Sequence, residues 1–243
     1  MRTFGLIGKN ISYSFSKTFF KEKFRKETIE DAIYELFDIE NINLIQEIFH
    51  HTSHLRGLNV TIPYKQEVIS FLTNFSPEAL EIGAVNTIKI TPHKRIGYNT
   101  DAYGFEESFS KQLKPYHENA LILGTGGAAK AVMFTLNKLN IFYHCVSRQK
   151  KNSTFSYTEL TPSILENYQI IINCSPIGTH PNIDTCPLLP YEALSSKHYL
   201  YDLVYNSSET LFLKKGREKG CTVQNGLEMF YLQANRSWEI WNS

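Results

Sequence analysis

The stretch ALILGTGGAAKA, residues 120–131, decides how this chain is read. Four apolar residues of strand character run into Gly124-x-Gly126-x-x-Ala129. Ala128, Ala131, Val132, Thr135, Leu136 and Leu139 then recur at helical spacing. A strand, a glycine turn and an amphipathic helix in that order form the dinucleotide-binding fingerprint. Gly124 permits the tight turn, Gly126 lets backbone approach a pyrophosphate, and Ala129 allows close packing of helix on sheet. Thr125, Gly127 and Ala128 complete the turn, and the helix N-terminus presents N–H groups and partial positive charge to phosphate.

The end of the next strand points to the cofactor. FYHCVSR (142–148) runs into Gln149, Lys150 and Lys151. A site for NAD carries a carboxylate about 20 residues beyond the turn, bonded to the ribose 2′-hydroxyl. Here residues 119–158 contain five Lys or Arg and no Asp or Glu. A 2′-phosphate meets no repulsion there. Arg148 has the planar fork to grip it and to stack on adenine. Ser147 offers a hydroxyl, and Lys150 or Lys151 a further charge. The expected cofactor is NADP (NADPH); a solvated basic loop is the ordinary alternative.

Outward from this turn, short apolar runs alternate with helical patterns along the whole chain. Strands are expected at 3–8, 32–39, 54–62, 84–90 and 95–101, with helices at 16–24, 40–49 and from Lys65 onward. The second half adds strands at 120–124, 142–148, 169–175, 199–205 and 221–225, a helix at 210–217 and a long last helix, 226–241. This alternation points to an α/β protein with mostly parallel sheets. Two domains are expected: residues 1–101, completed by the last helix (226–243), and a Rossmann-type domain at 102–225.

Composition narrows the partners. Among 243 residues, 25 Lys and Arg balance 24 Asp and Glu, and 42% are hydrophobic. Near-neutrality argues against a nucleic-acid partner. No apolar run approaches the ~18–20 residues that span a bilayer. The start reads as a strand and a turn rather than a secretory leader. Cys145, Cys174, Cys186 and Cys221 stand apart without metal-ligand spacing, which suits reduced thiols and a cytoplasmic protein. A monomer or a homodimer fits equally well.

If the second domain binds the nucleotide, the first is left to bind the substrate. Ser14, Ser16, Asn59, Thr61, Lys65, Asn86, Thr87, Asn99, Thr100 and Asp101 cluster at its strand ends, where α/β sheets bind ligands. Singly each is unremarkable; Ser16, for one, suits a helix N-cap. In order along the chain they resemble the shikimate dehydrogenase family. The family's Ser-x-Ser stands as Ser14-Phe15-Ser16. Its Asn-Val-Thr-x-Pro-x-Lys runs from Asn59 to Lys65, and its Gly-Ala-x-Asn-Thr from Gly83 to Thr87. Its Asn-Thr-Asp-x-x-Gly runs from Asn99 to Gly104. The glycine turn, Asn173–Gly178, Asp202–Tyr205 and Gly226…Gln233 follow in sequence.

The resemblance implies reversible NADPH-dependent reduction of 3-dehydroshikimate to shikimate, in aromatic amino acid biosynthesis. It implies a catalytic pair, Lys65 and Asp101. Ser14 and Ser16 would hold the substrate carboxylate, and Thr61, Asn86, Asp101 and Gln233 the ring hydroxyls. Tyr205 would close the pocket, and Gly226 would lie against the nicotinamide amide. Three departures stand out: Tyr13 and Lys17 around the serine pair, Thr125 in the turn, and Ser207 where proline is usual. Lys17 adds positive charge beside two serines expected to bind a carboxylate. A relative using quinate, and an NADP-binding sensor without activity, are the competing readings.

Overall fold

The apolar runs become strands, and their order in space separates two sheets. The computed structural model describes residues 1–12, 14–148 and 154–243. It divides into two compact units, Met1–Thr100 with Ala234–Ser243, and Asp101–Gln233.

The first unit holds β1 (Arg2–Gly8), α1 (Phe15–Lys26), β2 (Ala32–Asp38), α2 (Ile45–His51), β3 (Leu55–Val60), β4 (Asn74–Phe75), α3 (Pro77–Ile82), β5 (Thr87–Ile90) and β6 (Arg95–Tyr98). The sheet order is β2-β1-β3-β5-β6-β4. β1 pairs in parallel with β2 and β3, and β4 with β6. β5 runs antiparallel to β3 and to β6, and the short turn between β5 and β6 can join only antiparallel neighbours. Alternate residues of β1 feed opposite cores. Phe4 and Leu6 pack with Phe20, Phe24 and Trp241, whereas Ile7 packs with Ile45, Leu58 and Val68. Gly57 is glycine because the Trp241 indole lies where its Cβ would stand. That indole donates to the Ile88 carbonyl at 3.0 Å.

The chain continues with α4 (Thr100–Phe109), β7 (Asn119–Leu123), α5 (Gly127–Lys138), β8 (Phe142–Ser147), β9 (Thr154–Ser156), α6 (Pro162–Asn167), β10 (Ile170–Asn173), β11 (Tyr199–Asp202), α7 (Leu211–Glu218), β12 (Thr222–Asn225) and α8 (Leu227–Asn242). The second sheet is parallel throughout, in the order β12-β11-β10-β7-β8-β9. Counted from β7, that is the 3-2-1-4-5-6 order of dinucleotide-binding sheets, with the switch point between β7 and β10. Both faces are covered, which is why these strands read as unbroken apolar runs. Ile122, Ile172 and Tyr201 pack with Phe105, Val132 and Leu136; Leu121, Ile171 and Leu200 pack with Leu165, Phe212 and Leu213.

The structure departs from the sequence reading at several elements. The segment from Lys65 is not an α-helix: it turns first and then forms one 3-10 stretch, Glu67–Phe71. α3, α6, β4 and β9 are additional. Both added helices carry a start signal, an N-cap followed by proline at Ser76-Pro77 and Thr161-Pro162.

His117, in the loop before β7, gives the second unit a pH dependence. Its Nδ1 accepts from the Lys114 N–H at 3.1 Å, which leaves the proton on Nε2, 3.3 Å from the Lys197 carbonyl. Burial holds the imidazole below its usual 6.5, against the opposing pull of the Lys197 hydrogen bond. The unfolded chain therefore takes up the proton first, so this contribution is complete above pH 6.5 and is lost as pH falls through the lowered folded value. The urea midpoint is expected to drop between about pH 7.5 and about pH 5.5, and to drop less in His117→Gln. An equal drop in both proteins would contradict the assignment.

Candidate active site and nucleotide-binding turn

At the carboxyl ends of β3 and β6 and the amino end of the antiparallel β5, polar residues picked out by sequence meet in a buried network. Asn59 Nδ2 faces the Asn86 carbonyl at 3.3 Å, a group that can only accept. The amide oxygen is thereby set toward Tyr34, whose hydroxyl donates to it at 2.8 Å. At the other end the Thr100 N–H, which can only donate, faces Asn86 Oδ1 at 2.7 Å. Asn86 Nδ2 donates to Thr100 Oγ1 at 2.9 Å. Between them Ser237 Oγ accepts from Asn59 Nδ2 at 2.9 Å and lies 2.7 Å from Thr87 Oγ1. Thr87 reaches Asn86 Oδ1 at 3.2 Å. Thr100 Oγ1 also lies 3.2 Å from Thr87 Oγ1, from Ser237 Oγ and from Asn86 Oδ1, so three hydroxyls bridge the Asn59 and Asn86 amides. Asn99 is tied separately, donating to the Ala84 carbonyl at 2.9 Å. Asn59, Thr87 and Thr100 thus hold the strand ends and the start of α4 in place. Asn86 is the substrate candidate set within this frame. Ser237, which sequence reading passed over, joins it from α8.

Other candidates of the first unit sit on turns nearby in the chain. Ser14, rather than Ser16, is the N-cap of α1, its Oγ accepting from the Ser16 N–H at 3.2 Å. Ser16 is buried in the first turn. Thr61 follows β3, its N–H bonded to the Ile7 carbonyl at 2.9 Å. Lys65 is half-buried in the turn beyond it, and its carbonyl accepts from the Val85 N–H at 2.7 Å. Lys17 pairs with Glu35 at 2.7 Å. That carboxylate offsets the positive charge expected to reach the serines.

In the second unit, Asp101 is buried in the first turn of α4, where the helix N-terminus favours its negative charge. Gly104, one turn on, brings α4 against α8: an added Cβ would stand 2.6 Å from the Met229 carbonyl and 3.1 Å from Gln233 Cβ. Tyr205 stacks on Phe230 with ring centroids 4.9 Å apart. Gly226 is buried against the Leu203 carbonyl, which a Cβ would strike. Ser207, in place of the proline, has φ 156°, a value that a proline ring forbids.

The glycine turn separates two reasons for glycine. Gly124 has φ 119°, so the backbone itself demands it. Gly126 has φ −81° and ψ −173°, open to any residue, and an added Cβ would meet nothing within 4 Å. The fold does not require glycine at 126, so the space left open there fits the close approach of a pyrophosphate. Thr125 is exposed beside it, and Gly127 and Ala128 open α5. Ser147 ends β8 and Arg148 follows it, exposed, close enough to Tyr157 to lower a phenol pKa that burial raises. Lys150 and Lys151 lie outside the described residues. Among the described residues no group of His, Cys, Asp and Glu could hold a metal ion, and no helix is long and apolar enough to cross a membrane.

Gly126→Ala is expected to keep the thermal midpoint within about 2 °C, while weakening NADP+ at least about tenfold in a binding titration. Unchanged affinity would mean that no pyrophosphate approaches Gly126.

Known proteins share these features. A profile described as the shikimate dehydrogenase substrate binding domain matches residues 6–88. The shikimate dehydrogenase (NADP(+)) of Clostridium beijerinckii is 38% identical, covering 99% of this chain and 92% of that protein. The Methanococcus aeolicus protein of the same name is 36% identical, covering 98% and 90%. The crystal structure of the Thermus thermophilus shikimate 5-dehydrogenase, in complex with NADP(H) and shikimate, is 28% identical and aligns with a TM-score of 0.87 over 99% of this chain and 93% of that one. Similarity of this extent, running through both units, shows that the chain belongs to the shikimate dehydrogenase family.

Proposed function

We propose that this chain is an NADP-dependent shikimate dehydrogenase that reversibly reduces 3-dehydroshikimate to shikimate in aromatic amino acid biosynthesis. Membership of the family over nearly the whole chain carries this reading. The acid-free strand end after the glycine turn supports NADP. Most of the proposed substrate residues belong to the first unit, and all the proposed nucleotide residues to the second. The four cysteines, all free thiols, suit a cytoplasmic enzyme.

When bound, NADPH supplies a hydride from its nicotinamide ring. Lys65 donates the proton that the nascent alkoxide needs, and its ammonium stabilises that charge as it forms. Asp101 holds a substrate hydroxyl through a carboxylate fixed at the start of α4. Ser14 and Ser16 donate to the substrate carboxylate, and Thr61, Asn86 and Gln233 bind ring hydroxyls. Tyr205 bounds the pocket. Gly226 has no side chain to keep the nicotinamide amide away, while Ser147, Arg148 and Lys150 take the 2′-phosphate. Fixed orientation of the ring supplies much of the remaining barrier reduction.

The purified chain is expected to reduce NADP+ with shikimate, with kcat/KM at least about 100-fold lower for NAD+ or for quinate. Turnover of quinate with NAD+ at a comparable rate would contradict the reading. Lys65→Ala should lower kcat at least about 100-fold and leave the shikimate KM within a few-fold; near-intact activity would remove Lys65 from the mechanism. Arg148→Ala should weaken NADP+ about tenfold or more, with NAD+ affinity nearly unchanged. Equal losses would show that Arg148 does not read the 2′-phosphate.

A further inference from the structure

The ends of β10 and β11 keep a carboxylate that the proposed chemistry does not use. Asp202 is completely buried. Its Oδ1 accepts from Asn173 Nδ2 at 2.9 Å and from the Val204 N–H at 3.0 Å, and its Oδ2 accepts from the Thr210 hydroxyl at 2.6 Å. The three donors come from three places: the end of β10, the bend after β11, and the N-cap of α7. Asn173 is fixed in turn, its Oδ1 accepting from Ser175 Oγ at 2.6 Å and its Nδ2 donating to the Ile177 carbonyl at 3.2 Å. Burial pushes the Asp202 carboxyl up to about 6 against the pull of all three donors. A buried acid is costly to keep, and a neutral residue would fill the same space.

The bond to Val204 explains where that cost is spent. By capturing the N–H two residues ahead, Oδ1 turns the chain out of the sheet directly after Asp202. The turned segment reaches two site candidates. The Leu203 carbonyl lies against Gly226, and the Val204 carbonyl accepts the Gly226 N–H at 3.4 Å. Tyr205, next in the segment, is stacked on Phe230. All of this lies at the carboxyl ends of β10 and β11, beyond the switch point, where a doubly wound sheet receives the nicotinamide half of its ligand.

We propose that Asp202 is a positioning residue for the nicotinamide end of the cofactor site, holding residues 203–205 against Gly226 through the Val204 N–H. The proposal rests on the NADP reading above. It separates the two halves of the cofactor: the glycine turn and Arg148 lie at the ends of other strands, β7 and β8.

Calorimetric titration of Asp202→Ala with NADP+ and with adenosine 2′,5′-bisphosphate, which lacks the nicotinamide half, tests it. Asp202→Ala is expected to weaken NADP+ about tenfold and to leave the bisphosphate within about twofold. Asp202→Asn, whose Oδ1 can still accept from Asn173 and Val204, should keep both within about threefold. Thr210→Val removes the donor to Oδ2 and the α7 N-cap that accepts from the Leu213 N–H at 3.4 Å, but leaves the Val204 bond in place; it should lower the thermal midpoint with both affinities intact. NADP+ affinity within about twofold of wild type in Asp202→Ala overturns the proposal, as does parallel weakening of both ligands, the mark of a merely structural role. If Asp202→Ala does not fold, Asp202→Thr, of similar volume but with one oxygen nearer the backbone, is judged by the same thresholds. A wild-type chain that binds neither ligand overturns the NADP reading itself, and the proposal with it.

Discussion

Polar groups buried at the carboxyl ends of strands must be hydrogen-bonded, and the rest of this structure depends on that constraint. In the first unit it acts through the Asn59 amide. One face of the amide is committed to the Asn86 carbonyl and Ser237, the other to Tyr34. A flipped amide would set its oxygen against the Asn86 carbonyl, acceptor facing acceptor, in a place water does not reach, at a cost of about 1–3 kcal/mol per orphaned group. The network therefore specifies geometry as well as stability. It fixes Asn86, ties the carboxyl-terminal half of α8 to the sheet, and sets the first residue of α4, immediately before Asp101. In the second unit the same constraint acts through Asp202, where a single carboxylate satisfies donors from three segments.

Three glycines show how one residue type serves different ends. Gly57 yields its space to the Trp241 indole, and Gly226 to the Leu203 carbonyl, so both answer to the chain's own packing. Gly126 answers to nothing among the described residues. That contrast gives the dinucleotide fingerprint a physical basis in this protein. The turn is built as though something outside the polypeptide occupies the space beside it.

Much of the architecture was legible because it rests on local rules. Short apolar runs located the long strands, and the glycine turn between β7 and α5 identified the sheet that carries it. α3 and α6 escaped because each is only six residues long, too short for helical periodicity to register; their N-cap and proline pairs were the signal available. β4, with two residues, and β9, with three, have no pattern of their own and exist by pairing with β6 and β8. The site candidates of the first unit were visible as strand-end polar residues, but spacing alone could not divide frame from ligand contact. Ser237 was invisible for a related reason: its partners Asn59 and Thr87 lie 178 and 150 residues away. Lys17 illustrates the converse. Its charge was plain in the sequence, whereas the Glu35 that offsets it is brought in by β2.

The central claim is that the polar strand ends of the first unit hold the substrate while the acid-free strand end of the second reads the cofactor's 2′-phosphate. A crystal structure of the chain with NADP+ and shikimate measures this most directly. The expected result is the shikimate carboxylate on the Ser14 and Ser16 hydroxyls, the reacting hydroxyl within hydrogen-bond reach of Lys65 and Asp101, and the 2′-phosphate on Arg148. Shikimate bound away from Lys65 and the serines, or a 2′-phosphate pointing into solvent away from Arg148, would contradict it.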